Sequence, residues 1–120
     1  MPASSPKPEI RRGLESILIA GSLVIDWTAD INEHRLWADK LKRAAVERQF
    51  EVIAEALIRL PDQDPRVLRM IPDANVAIRL GEAIRHKYDK IDYGILWRAT
   101  RNDLPQLIQK VQELLTSASQ

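Results

Sequence analysis

The sequence contains no cysteine and only two histidines among its 120 residues. Disulfides and thiolate metal sites are therefore excluded, and the histidines do not form an HExxH pattern. The four glycines are scattered at positions 13, 21, 81 and 94, so the chain has no glycine-rich loop that could bind phosphate. We expect neither a metal nor another cofactor.

The chain also lacks an excess of either charge and lacks a long apolar run. Its 18 basic and 17 acidic residues leave a net charge of +1, so any binding of nucleic acid must depend on a local group of residues. The most apolar run, Ile17–Ile25, is much shorter than the ~20 residues that span a bilayer. It is also not followed by a cleavage site for a signal peptidase. We expect a cytoplasmic protein with no membrane contact.

The composition is that of one soluble globular domain, with 45% hydrophobic and 29% charged residues. Residues 1–8 are rich in proline and serine and contain little that could be buried, so they are expected to be a disordered tail. The remaining residues, 9–120, are expected to form a single helical domain.

Apolar residues recur at steps of three and four, the spacing that is typical of α-helices. The first helix is predicted from Ile10 onward; β-branched residues in this segment also suit a strand, but the lack of alternation favours a helix. The second is predicted from an N-cap at Asn32 to Pro61. Its apolar positions are Val46, Phe50, Ile53, Leu57 and Leu60.

The rest of the chain is predicted to be helical as well. A short helix, Arg66–Ile71, lies between prolines, and Asp73 is expected to cap the next long helix. Asp103 with Pro105 just after it is typical of a helix start, and predicts the last helix. The sum is an all-α protein, an antiparallel bundle of four to five helices.

The third long helix contains Arg79, Glu82 and His86, which are candidates for chemistry. At ~100° per residue, Arg79 and His86 point almost the same way, about 10.5 Å apart along the axis. Histidine exchanges protons near neutral pH, and arginine stabilises the negative charge of a phosphorane without a metal. Glu82 could orient the imidazole, and Arg85 could attract a polyanion. The same residue types are also common on solvated helix surfaces.

Several segments resemble the HepT-like branch of the HEPN superfamily. They are "HKYDKID" from His86, "ILW" from Ile95, "DLPQL" from Asp103 and "AAVERQFEVIAEAL" from Ala44. Each segment is short, but they occur in the order of the family and cover the chain from about Leu36 to Leu115.

The resemblance implies a helical bundle that forms a two-fold dimer, with Arg-x(4–6)-His motifs of both subunits meeting in a cleft. It also implies a metal-independent ribonuclease, a toxin paired with a minimal nucleotidyltransferase antitoxin that transfers AMP to the tyrosine of His-x-Tyr. Carried over, Arg79 and His86 are the catalytic pair and Tyr88 is the AMP acceptor. The expected partners are a second copy of the chain, RNA and the nucleotidyltransferase, but not DNA.

One position departs from the family pattern. Members usually carry a polar residue directly after the arginine, where this chain has Leu80, and the shorter spacing would place Gly81 at the arginine position. The alternative hypothesis is therefore a catalytically inactive helical adaptor that dimerises and binds the nucleotidyltransferase.

The remaining candidates are interpreted as structural. His34 is expected to be a solvated residue near a helix start. Trp27, Trp37 and Trp97 could stack on nucleic-acid bases, but each has apolar helical neighbours, so packing in the core or an interface is the preferred interpretation.

Overall fold

The computed structural model describes residues 7–86 and 91–118, with side chains as far as residue 116. Within these ranges the chain is helical and contains no strand, which confirms the predicted all-α class. The helices are α1 (Pro8–Thr28), α2 (Glu33–Ala38), α3 (Lys40–Gln63), α4 (Pro65–Arg69), α5 (Ala74–His86), α6 (Tyr93–Arg98) and α7 (Leu104–Ala118). A π-helical segment, Ala99–Asp103, joins α6 to α7.

The two longest helices, α1 and α3, pack against each other in antiparallel directions. Residues near the start of α1 lie beside residues near the end of α3, and Gly13 faces the side chain of Leu60. The segment around Ile17, for which a strand was the alternative, lies inside α1, as predicted. The five apolar positions predicted for α3 are all buried in the core: Val46, Phe50, Ile53, Leu57 and Leu60.

The second predicted helix is divided in two. The Asn32 side chain accepts the Arg35 N–H, as predicted for an N-cap. Asp39 then adopts an extended conformation and caps α3 by accepting the Lys42 N–H at 2.9 Å. An aspartate whose side chain bonds the backbone in this way competes with the helix and starts a new one.

The predicted end of that helix was also wrong. Pro61 lies inside α3, which continues to Gln63. Proline lacks the N–H donor and crowds the carbonyl four residues earlier, but the residues after it can still bond, and the Asp64 N–H donates to the Leu60 oxygen at 2.9 Å. The next residue, Asp64, caps the short helix α4, where its carboxylate also pairs with Arg66 at 3.0 Å.

The last part of the chain forms one continuous helical rod from Tyr93 to Ala118. Asp103 was predicted to start the last helix, but it lies within the π-helical segment, so the helix is already formed before it. The rod starts at Asp92, whose carboxylate accepts the N–H groups of Gly94 and Ile95. Gly21 of α1 lies against the side chain of Ile108, which brings α7 onto α1.

The bundle core is formed by the apolar stripes of α1, α3, α5 and α7 together with Leu36 and Leu96. Among the described residues, no helix combines the length and the apolar character that crossing a membrane requires.

Candidate active site

Helix α5 carries the candidate catalytic residues and is held to the core by one apolar stripe. Its buried residues are Ala74, Ala77, Leu80, Gly81 and Ile84. They recur at steps of three and four, so one side of α5 is fixed against the bundle and the opposite side faces outward. The preceding residue, Asp73, has a positive φ of 63°, a conformation that aspartate tolerates better than most residues.

The outward side of α5 exposes every candidate residue that the structure describes there. Arg79, Glu82, Arg85 and His86 are all exposed. Arg79 and His86 are seven positions apart in a regular helix, which places them on one side about 10.5 Å apart along the axis. Tyr88 falls in residues 87–90, which lie outside the described residues.

Arg79 and His86 belong to an exposed seam with the spacing three, four, three. The seam is formed by Val76, Arg79, Ala83 and His86, all of them exposed. Valine and alanine at two of these positions give the seam apolar and small side chains beside the arginine and the histidine. This spacing is the one at which two helices contact each other along their lengths.

Gly81 explains how close α5 lies to α3. A Cβ atom at Gly81 would collide with the Cβ of Ala54 and would lie 2.9 Å from the backbone oxygen of Phe50. Glycine therefore lets the two helices approach at the point where they cross. The position that the shorter family spacing would give to arginine is buried against a neighbouring helix.

Leu80, the residue that departs from the family pattern, is also a core residue. Only 6% of its surface is exposed, and it belongs to the same buried stripe as Ala77 and Ile84. In this chain the position after Arg79 thus points away from the exposed seam.

The charged groups of the α5 surface are not neutralised by one another. Within the described part of the chain, Arg79, Glu82 and Arg85 take part in no ion pair. A guanidinium without a carboxylate partner retains its donors for an anion such as a phosphate.

The three tryptophans differ in how far they are buried. Trp27 and Trp97 are partly buried against the core, which confirms their interpretation as packing residues. Trp37 is 38% exposed and forms a cluster with Tyr93 and Arg43. His34 is exposed near the start of α2, as expected.

Sequence reasoning missed the Trp37 cluster, and it also missed a pair of carboxylates, Asp73 and Asp103. Both line a small apolar cavity beside Phe50, between the start of α5 and the π-helical segment. Burial raises the pKa of Asp103, and the negative charge of Asp73 raises this pKa further, while Arg98 lowers it. The two residues are 30 positions apart, so their proximity has no signal in the sequence.

A larger cleft of about 450 Å³ lies away from α5, between α1 and α3. Its rim carries Arg12, Arg48 and Arg59, and also Glu9 and Glu55. Arg59 is paired with Glu55 at 2.7 Å. The mixture of charges gives no clear preference for an anion.

Comparisons with known proteins identify relatives over most of the chain. Residues 17–114 match the model of the family described as "Ribonuclease HepT-like". A protein of Methanocaldococcus jannaschii named "Putative RNase MJ0127" is 33% identical over 110 residues, which cover 92% of this chain and 90% of the relative. A protein of Thermococcus cleftensis named "Probable ribonuclease HepT" is 32% identical over 101 residues, 84% of this chain and 91% of the relative. No solved structure matches the chain.

Proposed function

Because the chain belongs to the HepT-like ribonuclease family, we propose that it is a metal-independent ribonuclease that acts as a two-fold dimer. RNA is cut in the cleft between two copies of α5. The observation that supports this proposal is the exposed seam of α5, which presents Arg79 and His86 on one side of a single rigid helix. Two apolar or small residues in the same seam, Val76 and Ala83, suit contact with the second copy.

The proposed reaction uses the 2′-hydroxyl of RNA as the nucleophile. His86 takes the proton of this hydroxyl while its oxygen forms a bond to phosphorus. The bond from phosphorus to the 5′-oxygen breaks, and His86 of the partner subunit gives that oxygen a proton. The products are a 2′,3′-cyclic phosphate and a 5′-hydroxyl, so no external reactant is consumed. Arg79 stabilises the negative charge that gathers on the phosphoryl oxygens.

Two neighbours are assigned supporting roles. Glu82 lies one helical turn before His86, a separation at which a carboxylate can orient an imidazole. Arg85 points ~100° away from His86 on a regular helix, so its role is to attract the RNA backbone toward the cleft.

The proposal includes a toxin–antitoxin context in the cytoplasm. A minimal nucleotidyltransferase would transfer AMP to Tyr88, two residues after His86 in the sequence. The added phosphate carries negative charge and would repel RNA from the cleft. The support for this part is the sequence resemblance around "HKYDKID".

A second candidate function is an inactive adaptor that dimerises and binds the nucleotidyltransferase. The observation that favours it is the burial of Leu80 and Gly81, the two residues that follow Arg79. Both face the core, so neither provides the seam with the polar side chain that family members usually carry after the arginine. The adaptor would retain the α5 contact but would leave RNA intact.

The two functions are separated by incubating the purified protein with tRNA and mRNA in the presence of EDTA. The ribonuclease is expected to cut RNA, and His86→Ala is expected to lower the rate at least about 100-fold, the usual contribution of an acid–base group. His34→Ala is the matched control because His34 is the other histidine and is also exposed. Intact RNA with the wild-type dimer would support the adaptor, and cleavage that persists in His86→Ala would exclude the proposed mechanism.

A further inference from the structure

Trp37, Arg43 and Tyr93 form a cluster where α2, the start of α3 and the start of α6 meet. The rings of Trp37 and Tyr93 are in contact and tilted by 53°. The guanidinium carbon of Arg43 lies 5.6 Å from the centroid of the Trp37 ring and 5.0 Å from that of Tyr93. Arg43 also donates a hydrogen bond from Nη1 to the backbone oxygen of Trp37 at 3.2 Å.

This cluster remains accessible, in contrast to the other two tryptophans of the chain. Trp37 is 38% exposed and does not belong to the packed core, whereas Trp27 and Trp97 pack against it. The cation–π contacts and the hydrogen bond hold Arg43 against the rings, which gives the exposed indole a fixed position. The cluster is therefore a rigid aromatic surface with a positive charge beside it.

The charges near the cluster favour a polyanion. Lys40, Lys42 and Arg43 follow one another within four residues, and Asp39 is the single carboxylate next to them in the sequence. Asp39 is engaged as the N-cap of α3, and Asp92, the carboxylate next to Tyr93 in the sequence, is engaged as the N-cap of α6. An exposed aromatic ring with one arginine against it and two lysines at nearby sequence positions is a combination with which proteins bind single-stranded nucleic acid, through stacking and backbone attraction.

We infer that Trp37, supported by Arg43 and Tyr93, is a stacking site for an unpaired base of single-stranded RNA. Lys40 and Lys42 bind the adjoining phosphates. The inference rests on the proposed function, because it specifies which form of RNA the proposed ribonuclease binds. A duplex has its bases stacked on each other and cannot offer a free base to the indole, so the site selects single strands.

The stacking site lies within reach of an RNA chain that occupies the proposed cleft. Tyr93 follows His86 by seven residues, which limits the separation of their Cα atoms to about 25 Å even for an extended chain. One strand could therefore contact His86 with one phosphate and Trp37 with a base some nucleotides away.

The experiment measures binding separately from cleavage. The probe is an unstructured 20-nucleotide RNA with 2′-O-methyl groups, which removes the nucleophile and prevents the proposed cleavage. Its affinity is measured by fluorescence anisotropy for the wild type, Trp37→Leu and Trp37→Phe. Leucine keeps apolar volume without a π face, whereas phenylalanine keeps a ring. A duplex of the same length gives the comparison, and circular dichroism checks that each variant is folded.

We expect Trp37→Leu to weaken binding of the single strand about tenfold, since stacking on an aromatic ring typically accounts for ~5- to 150-fold per base. Trp37→Phe should restore most of this loss, and duplex binding should be weaker and unaffected. Ile19→Leu is the control for an exposed apolar residue elsewhere, as Ile19 is 63% exposed on α1. Lys40→Ala should lower the slope of log affinity against log salt concentration by about 1.

Equal affinities of the wild type and Trp37→Leu would overturn the stacking site, even if RNA cleavage depends on His86. If RNA cleavage does not depend on His86, the proposed mechanism is overturned, but a tenfold effect of Trp37→Leu on binding would still support the stacking site.

The surface around Trp37 also exposes two apolar residues, Leu41 at 84% and Ile95 at 46%. If Trp37→Leu and Leu41→Ala weaken binding to a nucleotidyltransferase but not to RNA, the surface belongs to a protein partner and the inference fails.

Discussion

Arg101 donates a hydrogen bond from Nη2 to the backbone oxygen of Thr28 at 2.7 Å, across 73 positions of the sequence. The same nitrogen also donates to the backbone oxygen of Ile31. The guanidinium carbon lies 4.5 Å from the centroid of the Trp97 ring. Thr28 is the last residue of α1, so its carbonyl has no partner within the helix. It accepts a long hydrogen bond from the Ile31 N–H at 3.4 Å, and Arg101 supplies a second, shorter one.

Arg101→Ala is expected to destabilise the protein by about 2 kcal/mol, because hydrogen bonds from a charged donor contribute ~1.5–3 kcal/mol, and the bond to Thr28 is partly buried whereas the bond to Ile31 is exposed. Arg101→Lys should recover only part of the loss, since an ammonium lacks the planar fork and stacks less well on Trp97. The free energy of unfolding is measured by urea titration. Arg48→Ala, an exposed arginine on α3, should leave it within about 0.5 kcal/mol.

Gly81→Ala is expected to lower the free energy of unfolding by about 1–2 kcal/mol. Overpacking of a tight helix crossing costs ~1–3 kcal/mol, and the higher helix propensity of alanine recovers at most ~1 kcal/mol. The colliding atoms include the backbone oxygen of Phe50, which cannot rotate away.

Gly13→Ala is the matched control for the change in propensity. Its Cβ would lie 3.4 Å from a Leu60 methyl group, an ordinary contact, so this variant should be neutral or more stable by up to ~1 kcal/mol. Thermal and urea unfolding of both variants measure the difference. Equal stability of the two variants would show that α5 does not approach α3 as closely as described.

Asp103→Asn is expected to raise the melting temperature at pH 7. Burial and the charge of Asp73 raise the pKa of Asp103 in the folded state above its ordinary value of 3.8. A raised carboxyl pKa means that the folded protein prefers the protonated group, so this contribution to stability is present below pH 3.8 and is lost as the pH rises through the folded-state pKa. Asparagine is uncharged at pH 7, so the variant avoids the unfavourable burial of the Asp103 carboxylate beside Asp73.

The advantage of Asp103→Asn should therefore shrink as the pH falls toward 3.8. Melting temperatures between pH 3 and pH 8 test this trend. Asp62→Asn is the control for removing one negative charge, because Asp62 is exposed on α3. An advantage of Asp103→Asn that is independent of pH would contradict the assignment of the effect to the carboxylate.

Val76→Arg is expected to convert the proposed dimer into a monomer and to abolish RNA cleavage together with it. Val76 is 37% exposed in the seam that includes Arg79 and His86, and a further arginine there would face like charges of the second copy. Light scattering after gel filtration gives the mass. Ile19→Arg places the same side chain on α1 and should change neither mass nor activity; a Val76→Arg dimer would exclude this seam as the interface.

The fold could be predicted from the sequence where periodicity alone decides the structure. The apolar stripe of α3 was read correctly at all five positions, because a helix that contacts neighbours on one side must repeat at 3.6 residues. The errors lie at the ends of helices. Asp39 interrupts a helix by bonding its own backbone, and Pro61 does not stop one, since both outcomes depend on the local balance of a few hydrogen bonds.

The candidate site was predictable only in part, for a physical reason. Spacing within one helix places Arg79, Glu82 and His86 on a common side, and the structure exposes all three. Residue spacing in the sequence does not indicate which residues of different helices will touch. The closeness of Asp73 to Asp103, and of Trp37 to Tyr93, follows from how α5 and α6 cross their neighbours.

The unbroken helix from Tyr93 to Ala118 has a mechanical consequence. Its 26 residues span about 39 Å, and no loop within that length can absorb a displacement. A force that RNA exerts at Tyr93 would therefore be transmitted along a rigid helix to Arg101, eight residues away. The displacement would then reach the carbonyls of Thr28, the last residue of α1, and of Ile31, which both accept hydrogen bonds from Arg101.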